Sequence, residues 1–521
     1  MVRAGVGWAS ISLAAAVALI LALTLSPVLY LGYLVYVSGT KALVHLWKTG
    51  LPALILRTGL LATLSTALAL LLGLPLAWLV VRTDLPWKGL WRWLGILPLA
   101  IPPYIGALTF VTLFGPVGIV NRALSGTVGG PIFNIYSDWG GVLVLGLVTY
   151  PFILLLAAAA LESTNPALEE AARSLGEGTV GIFSRVTLPL LMPSILAGSL
   201  MVFLYALADF GAVSILRVNT FTTEIYHQLN TRFEISAAAA LSGVLLGLAI
   251  LVLLLQGRVL GSRYYTQVGS AARPAPLIAL GRWRYPGLLY AIGVISASTI
   301  LPLALLVYHV GAFHTFLSVL WAQKDYILAS LWTAALAAFL VTALGFFVGY
   351  VAHRRKGRLG TVLWGTVQLS YAVPGTILGL SLILLYNTYL PAVYGTAAMV
   401  ILGYILRFLL EGLQACAASL EQVNTNLEEA ARVLGKGPLG AVIGVTAPLI
   451  RPGLLTSWVL VFVSSMKELA ATLLLRPAGF DTLPIRIWIA TIEADYATAS
   501  AVALLLIGFT ALPLLLIGRG M

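Results

Sequence analysis

The sequence predicts an all-α integral membrane protein of about twelve transmembrane helices, built as two tandem six-helix units. Three observations carry that reading. Hydrophobic residues make up 60% of the 521-residue chain and charged residues 9%, with a mean hydropathy of +1.00. The apolar runs are long enough for a hydrocarbon core about 30 Å thick, which takes roughly 20 residues of helix to cross. One long loop pattern occurs twice, 259 residues apart. A soluble domain carries about 25% charged residues. A chain this poor in charge cannot cover a water-facing surface, so a soluble enzyme is excluded. Within a bilayer, backbone polar groups are satisfied inside helices or closed barrels. The short alternating strands of a membrane barrel are absent from the pattern.

The apolar spans fall at about 9–36, 55–81, 93–115, 140–161, 187–208, 238–257, 285–308, 327–352, 361–386, 394–413, 449–466 and 498–518. The first has Arg3 ahead of a run that outlasts a signal h-region, so it reads as a retained span. The net charge of +12 does not point to nucleic acid, because the excess sits in short loops between apolar runs. With the N-terminus in the cytoplasm, the inner side holds twenty lysines and arginines and the outer side ten. That bias places both termini inside. The inner count includes five in 258–284, four in 353–358 and four in 407–451. Cys416 is the one cysteine, which excludes an intrachain disulfide and a cysteine metal cluster. His309 and His314, five apart, read as loop residues rather than a ligand pair, and no metal site is assigned.

The repeat is EEAARSLGEGTVGIFSRVTLPLLMP from Glu169 and EEAARVLGKGPLGAVIGVTAPLIRP from Glu428. Its register continues downstream: Asp209 falls on Glu468, Arg217 on Arg476, Phe221 on Phe480 and Thr223 on Thr482. Upstream it shifts by about a dozen residues, pairing Gly73 with Gly345 and Pro103 with Pro374. The units are therefore 1–262 and 285–521. The stretch 263–284, with Pro274 and Pro276, is a cytoplasmic linker. Six spans per unit give both units the same orientation, related by a pseudo-twofold axis along the membrane normal.

Each unit carries one unusual inner loop, 162–189 and 421–448. In the first, Glu170-Ala171-Ala172 precedes Gly176 and Val186-x-Leu188-Pro189. In the second, Glu429-Ala430-Ala431 precedes Gly435 and Val445-x-Ala447-Pro448. Leu168 to Leu175 reads as a short helix started by Asn165-Pro166. The glutamates stand in its first turn, where the helix dipole favours negative charge. Gly176 is suited to a left-handed C-terminal turn. Asn424 to Gly435 repeats the plan with Asn426 as the expected cap. A capped helix with a small alanine surface can seat in a groove on a partner, and two copies at equivalent depth favour docking over a plain surface loop.

These loops resemble the EAA loop of permeases of binding-protein-dependent ABC importers, EAA-x3-G-x9-I-x-L-P, with Val186 and Val445 for Ile and Ala447 for Leu. The resemblance covers both units. It implies the MetI-like ABC permease fold as a fused pseudo-dimer, with each loop a coupling helix for an ABC ATP-binding subunit, two copies in all. It also implies a solute-binding protein that delivers the cargo, and a prokaryotic inner membrane. The stretches LADFGAVSILRVNTFTTEIYHQL (207–229) and MKELAATLLLRPAGFDTLPIRIW (466–488) are similar to those of fused ferric-iron permeases. Related permeases carry thiamine, phosphonates and polyamines.

No GxxxxGK[ST] phosphate loop occurs; Gly435-Lys436-Gly437-Pro438 lacks its spacing and hydroxyl residue. The chain is therefore read as a transport subunit and not an enzyme. It binds no cofactor of its own, and ATP with Mg²⁺ belongs to the partner. The spans look almost free of Asp, Glu, His and Lys, which counts against an ion-gradient-driven transporter. No repeated catalytic set supports a membrane enzyme, and two docking loops argue against a simple channel. Prolines at 102, 103, 189, 193, 374, 448 and 452 either permit gate movement or mark span ends. Asp209 and Glu468 lie twenty residues past Pro189 and Pro448. That is about 30 Å of helix, so both are expected near the outer mouth, facing one central opening. There they either line a cation path or pair with Arg217 and Arg476, which lie on the same side if the helix continues.

Overall fold

The computed structural model describes residues 2–128, 132–261, 277–354, 358–371, 373–424 and 426–518. Among the described residues the chain is helical, with one isolated bridge between Thr83 and Ile278. Ten helices there are long and apolar enough to cross a membrane. Nine of them match expected spans; the third, the ninth and the eleventh expected spans are broken. The ninth is two helices, Arg358–Tyr371 and Gly375–Tyr389, parted at Pro374. Proline has no N–H and disfavours helical geometry in the residue before it. The eleventh is a pair, Pro438–Leu449 and Arg451–Lys467, bent by 75° at Ile450 between Pro448 and Pro452.

The third span breaks in the same way. Lys88–Ile96 runs into a tight turn, and a new helix, Pro103–Phe114, starts after Pro102. Pro102 and Pro374 have near-identical geometry, φ −58°, ψ 146° and φ −54°, ψ 146°. They are 272 residues apart, as are Gly73 and Gly345. The structural partner of Pro374 is thus Pro102, one residue before the proline that the sequence pairing chose.

Two further expectations are corrected. The tenth span extends over Ala397–Leu420. Arg407 and Glu411 are therefore inside a membrane helix rather than in a cytoplasmic segment, and the spans carry more charge than the pattern suggested. His309 ends the helix Leu301–Val310, with Nδ1 2.8 Å from Leu305 O, and His314 sits in the helix Phe313–Ala322. Neither is a loop residue. No group of three or more His, Cys, Asp or Glu that could hold a metal occurs among the described residues.

The two units share one core. The first helix, Val2–Thr49, packs on its own sixth span, Ile235–Gly261, and across on both halves of the ninth. The seventh span reciprocates: Leu301–Val310 packs on the twelfth, Tyr496–Gly518, and across on Pro103–Phe114. This exchange is the contact pattern of a pseudo-twofold. Within each unit the second and fourth spans, or the eighth and tenth, meet at a glycine. A Cβ on Gly73 would stand 2.7 Å from Tyr150 O, and one on Gly345 2.9 Å from Gly412 C and Leu413 N. Backbone cannot move aside as a side chain can. Gly345→Ala is expected to cost about 1–3 kcal/mol of overpacking, read as earlier thermal unfolding in detergent than for Gly365→Ala, whose Cβ meets nothing within 4 Å.

Most of the linker, 263–276, lies outside the described residues, as does Lys356. The linker's end joins the first unit: Ile278 N donates to Arg82 O (2.8 Å) and Asp84 N to Ile278 O (3.2 Å). Leu280 N donates to Asp84 Oδ1 at 2.9 Å.

Candidate functional site: two capped loop helices and a central junction

Both loops fold into the expected short helix, Pro166–Ser174 and Asn426–Val433. Asn165 Oδ1 accepts from Ala167 N at 3.0 Å, capping the first. In the second the cap is Asn424, whose Oδ1 accepts from Asn426 N at 3.0 Å. Asn426 is already helical, so the sequence placed this cap two residues late. The C-terminal turns agree. Gly176 has φ +88° and Gly435 φ +90°. Gly176 N donates to Arg173 O (3.0 Å) and Glu177 N to Ala172 O (3.1 Å); Gly435 N donates to Arg432 O and Lys436 N to Ala431 O, both 3.0 Å. This is the two-bond glycine termination that closes orphan carbonyls at a helix end.

The two glutamates of each loop have different jobs. Glu170 and Glu429 are exposed, free to meet a partner. Glu169 and Glu428 are buried, 7% and 3% exposed. Glu169 Oε2 pairs with Arg82 at the end of the second span, and Glu169 Oε1 accepts from Thr187 Oγ1 at 2.8 Å. Glu428 Oε1 accepts from Thr446 Oγ1 at 2.6 Å and Glu428 Oε2 from Tyr350 OH at 3.2 Å. Thr187 and Thr446 each end a wide π-helical turn, Phe183–Thr187 and Val442–Thr446. Such turns interrupt regular bonding, often at functional positions. Each loop helix is thus tied by a buried carboxylate to the membrane body. A small cavity beside the first tie is lined by Trp78, Arg82, Glu169, Arg173 and Ile278, so the linker's end also touches this anchor. Pro189 stands in the first turn of Leu188–Ala208, and Pro448 precedes the bend at Ile450.

Sequence reasoning missed the anchoring role of Glu169 and Glu428, and the leucines. Leu175 and Leu434 are each 85% exposed, and Leu168 and Leu427 about half exposed, at matching positions seven residues earlier. Two leucines seven apart lie on one helix face. Ala171 is exposed and Ala172 half-buried; Ala430 is exposed and Ala431 buried. The outer face of each loop helix is therefore leucine, alanine and glutamate.

At the junction of the units, the fifth and eleventh spans end at Ala208 and Lys467. Asp209 Oδ1 then accepts from Ala212 N (3.0 Å) and Val213 N (3.2 Å), starting the short helix Gly211–Ile215. Glu468 Oε1 accepts from Ala471 N at 2.9 Å, starting Ala470–Leu475. The helices do not continue past the acids, so neither arginine stands beside its own acid. Arg217, at φ 57°, lays its guanidinium 4.9 Å from the Tyr136 ring centroid. Arg476 pairs with Asp481, with Arg486 3.6 Å from the same carboxylate. The acid–arginine pairing weighed from the sequence is not formed. The turns that carry the two acids do meet: a Cβ on Gly211 would stand 3.3 Å from Leu469 Cδ2, across the junction.

The second unit adds charges that the first lacks. Arg407, Glu411 and Lys467 fall where the 259-residue register puts Val148, Phe152 and Ala208. Lys467 Nζ donates to Leu99 O of the first unit at 3.0 Å. That carbonyl's helical partner four residues on is Pro103, which has no N–H. Arg407 donates to Val373 O at the other proline break and lies 3.9 Å from Glu468 Oε2. Glu411 Oε2 accepts from Ser464 Oγ at 2.7 Å.

A duplicated bundle of apolar helices, broken by prolines at a central junction and carrying two identically capped loop helices, defines a membrane permease. A model of the family described as "Binding-protein-dependent transport system inner membrane component" matches residues 69–263 and 342–520, and the chain belongs to that family. The chain is 29% identical over 493 residues to the Fe(3+)-transport system permease protein FbpB 2 of Haemophilus influenzae, covering 92% of both chains. It is 25% identical over 434 residues to the ferric transport system permease protein FbpB of Actinobacillus pleuropneumoniae, covering 79% of this chain and 63% of that one. A third relative, the molybdenum transport system permease protein ModB of Escherichia coli, is 32% identical over 206 residues, 38% of this chain and 89% of its own. That protein thus has about the length of one unit.

Proposed function

We propose that this chain is the transmembrane subunit of an ATP-driven importer for ferric iron. The observation that carries the cargo is the end-to-end match to a permease named for Fe(3+) transport, 92% of each chain. ATP and Mg²⁺ belong to a separate ABC ATPase, two copies of which seat on the loop helices at Glu170, Ala171 and Gly176 and at Glu429, Ala430 and Gly435. Ala172, half-buried, and Ala431, buried, are the small residues that let each helix lie close to its own chain. The exposed leucines 168, 175, 427 and 434 supply the apolar contact and the exposed glutamates the charge. A solute-binding protein delivers the cargo from outside. The loops and both termini face the cytoplasm.

The test is reconstitution of the chain, its ATPase and its iron-loaded binding protein in proteoliposomes with radioactive iron. Uptake should stop when ATP is exhausted and persist with an uncoupler at constant ATP. Uptake that follows the proton gradient instead overturns the reading. The relative named for molybdenum transport supports a second cargo, an oxyanion, over one unit only. Molybdate uptake with no iron uptake would establish it.

Orientation is tested with single cysteines in a protein lacking Cys416. A cysteine at the exposed Leu175 should be shielded from an impermeant thiol reagent in intact cells, and one at the exposed Asn134 labelled. The reverse pattern overturns the topology.

A further inference from the structure

Two groups at the junction, the half-buried Asp209 and the buried Tyr104, lack partners. Asp209 spends Oδ1 on two backbone N–H groups, and no cation among the described residues lies within ion-pair distance of it. A carboxylate partly removed from water is stabilised by a counter-charge. Tyr104, two residues past Pro102, is 3% exposed, and its hydroxyl has no hydrogen-bond partner. Its ring packs 3.0 Å from where a Cβ on Gly211 would stand, beside the turn that Asp209 caps. Tyr104 is also within electrostatic reach of Glu468, and Glu468 of Asp209. Thr376, 272 residues on from Tyr104, likewise has a buried hydroxyl without a partner. It follows Gly375, where a Cβ would stand 2.7 Å from Glu468 Oε1. Of the nearby cations, Lys467 is engaged on Leu99 O, and Arg407, which donates to Val373 O, also lies 3.9 Å from Glu468 Oε2.

We propose that Tyr104, Asp209 and Glu468 form a transient coordination site for a hard trivalent cation where the two units meet. The missing counter-charge of Asp209 and the missing partner of the phenol are then one and the same ion, with Glu468 shared between it and Arg407. The donors are all oxygen, with no thiolate, thioether or imidazole among them, which selects hard cations. The metal lowers the phenol's pKa, so Tyr104 binds as phenolate and its proton passes to water. Both carboxylates keep one oxygen on a helix start, which leaves few ligands for the ion. Such a site binds well enough to admit the ion and weakly enough to release it. The proposal rests on the reading of the cargo as ferric ion.

Two experiments test it. The purified permease–ATPase complex is titrated with ferric nitrilotriacetate and watched for the visible absorption of an iron–phenolate bond. The band is expected in the native protein and lost in Tyr104→Phe, which removes a hydroxyl that bonds to nothing and so spares the fold. In the proteoliposome assay, Tyr104→Phe and Asp209→Asn are expected to lower iron uptake roughly 10–100-fold, the range for loss of a metal-site group. ATPase stimulation by the loaded binding protein should persist. A Tyr104→Phe protein with an unchanged band and full uptake overturns the site. Native protein that takes up no iron overturns the cargo reading, and the titration then still decides the site, because it needs only the ion.

Discussion

Replacing Glu169 and Glu428 together by alanine is expected to abolish transport in a protein that still inserts into the membrane. The two carboxylates are the buried ties between loop helix and membrane body. Without Glu169, the Arg82 guanidinium, 3% exposed, loses its anion, and its Nη1 already has no partner. Removing one partner of a buried pair costs about 3–5 kcal/mol. Thr187 and Thr446 lose their acceptors at the same time. An ATPase pushing on an untethered helix would move the helix and not the spans. The readouts are faster amide exchange in 166–176 and 426–435, and ATP hydrolysis no longer matched by uptake. Removing both charges of a buried pair can be nearly neutral. Arg82→Met with Glu169→Met should therefore recover more uptake than Glu169→Ala alone. Equal loss in the pair would mean that the charge itself, and not the tether, is needed. Alanine at the exposed Glu170 and Glu429 should leave exchange unchanged and weaken only ATPase retention.

The split between adjacent glutamates marks the limit of what the sequence could show. The loop pattern gave both helices, both terminal glycines and the fused pseudo-dimer, because caps and left-handed turns are local chemistry. Burial is not local. Glu169 differs from Glu170 only through Arg82, 87 residues away, and Thr187, and nothing in the string EEAA tells the two apart. Span ends failed for a similar reason. Hydropathy ended the tenth span at 413 and the charge tally counted Arg407 with the inner segment, whereas Arg407 and Glu411 find Val373 O and Ser464 inside the bundle and the helix continues to Leu420. Asp209 and Glu468 were legible as equivalent acids but not as helix caps. The signal was present in the runs Asp209-Phe-Gly and Glu468-Leu-Ala, where an acid precedes small residues, yet inside an apolar span it reads as continuing helix. Tyr104 left no trace, since a tyrosine without a partner is known only once its surroundings are.

Valine at Gly176 and Gly435 is expected to uncouple the permease by a different route, through the backbone alone. Both glycines hold φ near +90°, where residues with a Cβ are strained, and a Cβ at either would meet nothing within 4 Å. Side-chain size therefore cannot matter through collision. The cost is conformational, about 1–3 kcal/mol per loop for a poorly suited residue. The two loops are distinct, so the costs should add. Either helix end can relax only by giving up the bonds to Ala172 and Arg173, or to Ala431 and Arg432, which turns the leucine face and the exposed glutamate away from their seat. Asparagine visits the left-handed region more readily than other residues with a side chain. Coupling, read as iron taken up per ATP hydrolysed, should fall in the order glycine, asparagine, alanine, valine, with the double valine protein lowest. ATPase co-purification should follow the same order while insertion stays constant. A series that instead tracked volume, with asparagine as damaging as valine, would mean that the partner's surface crowds these positions and that the turn itself is not what coupling requires.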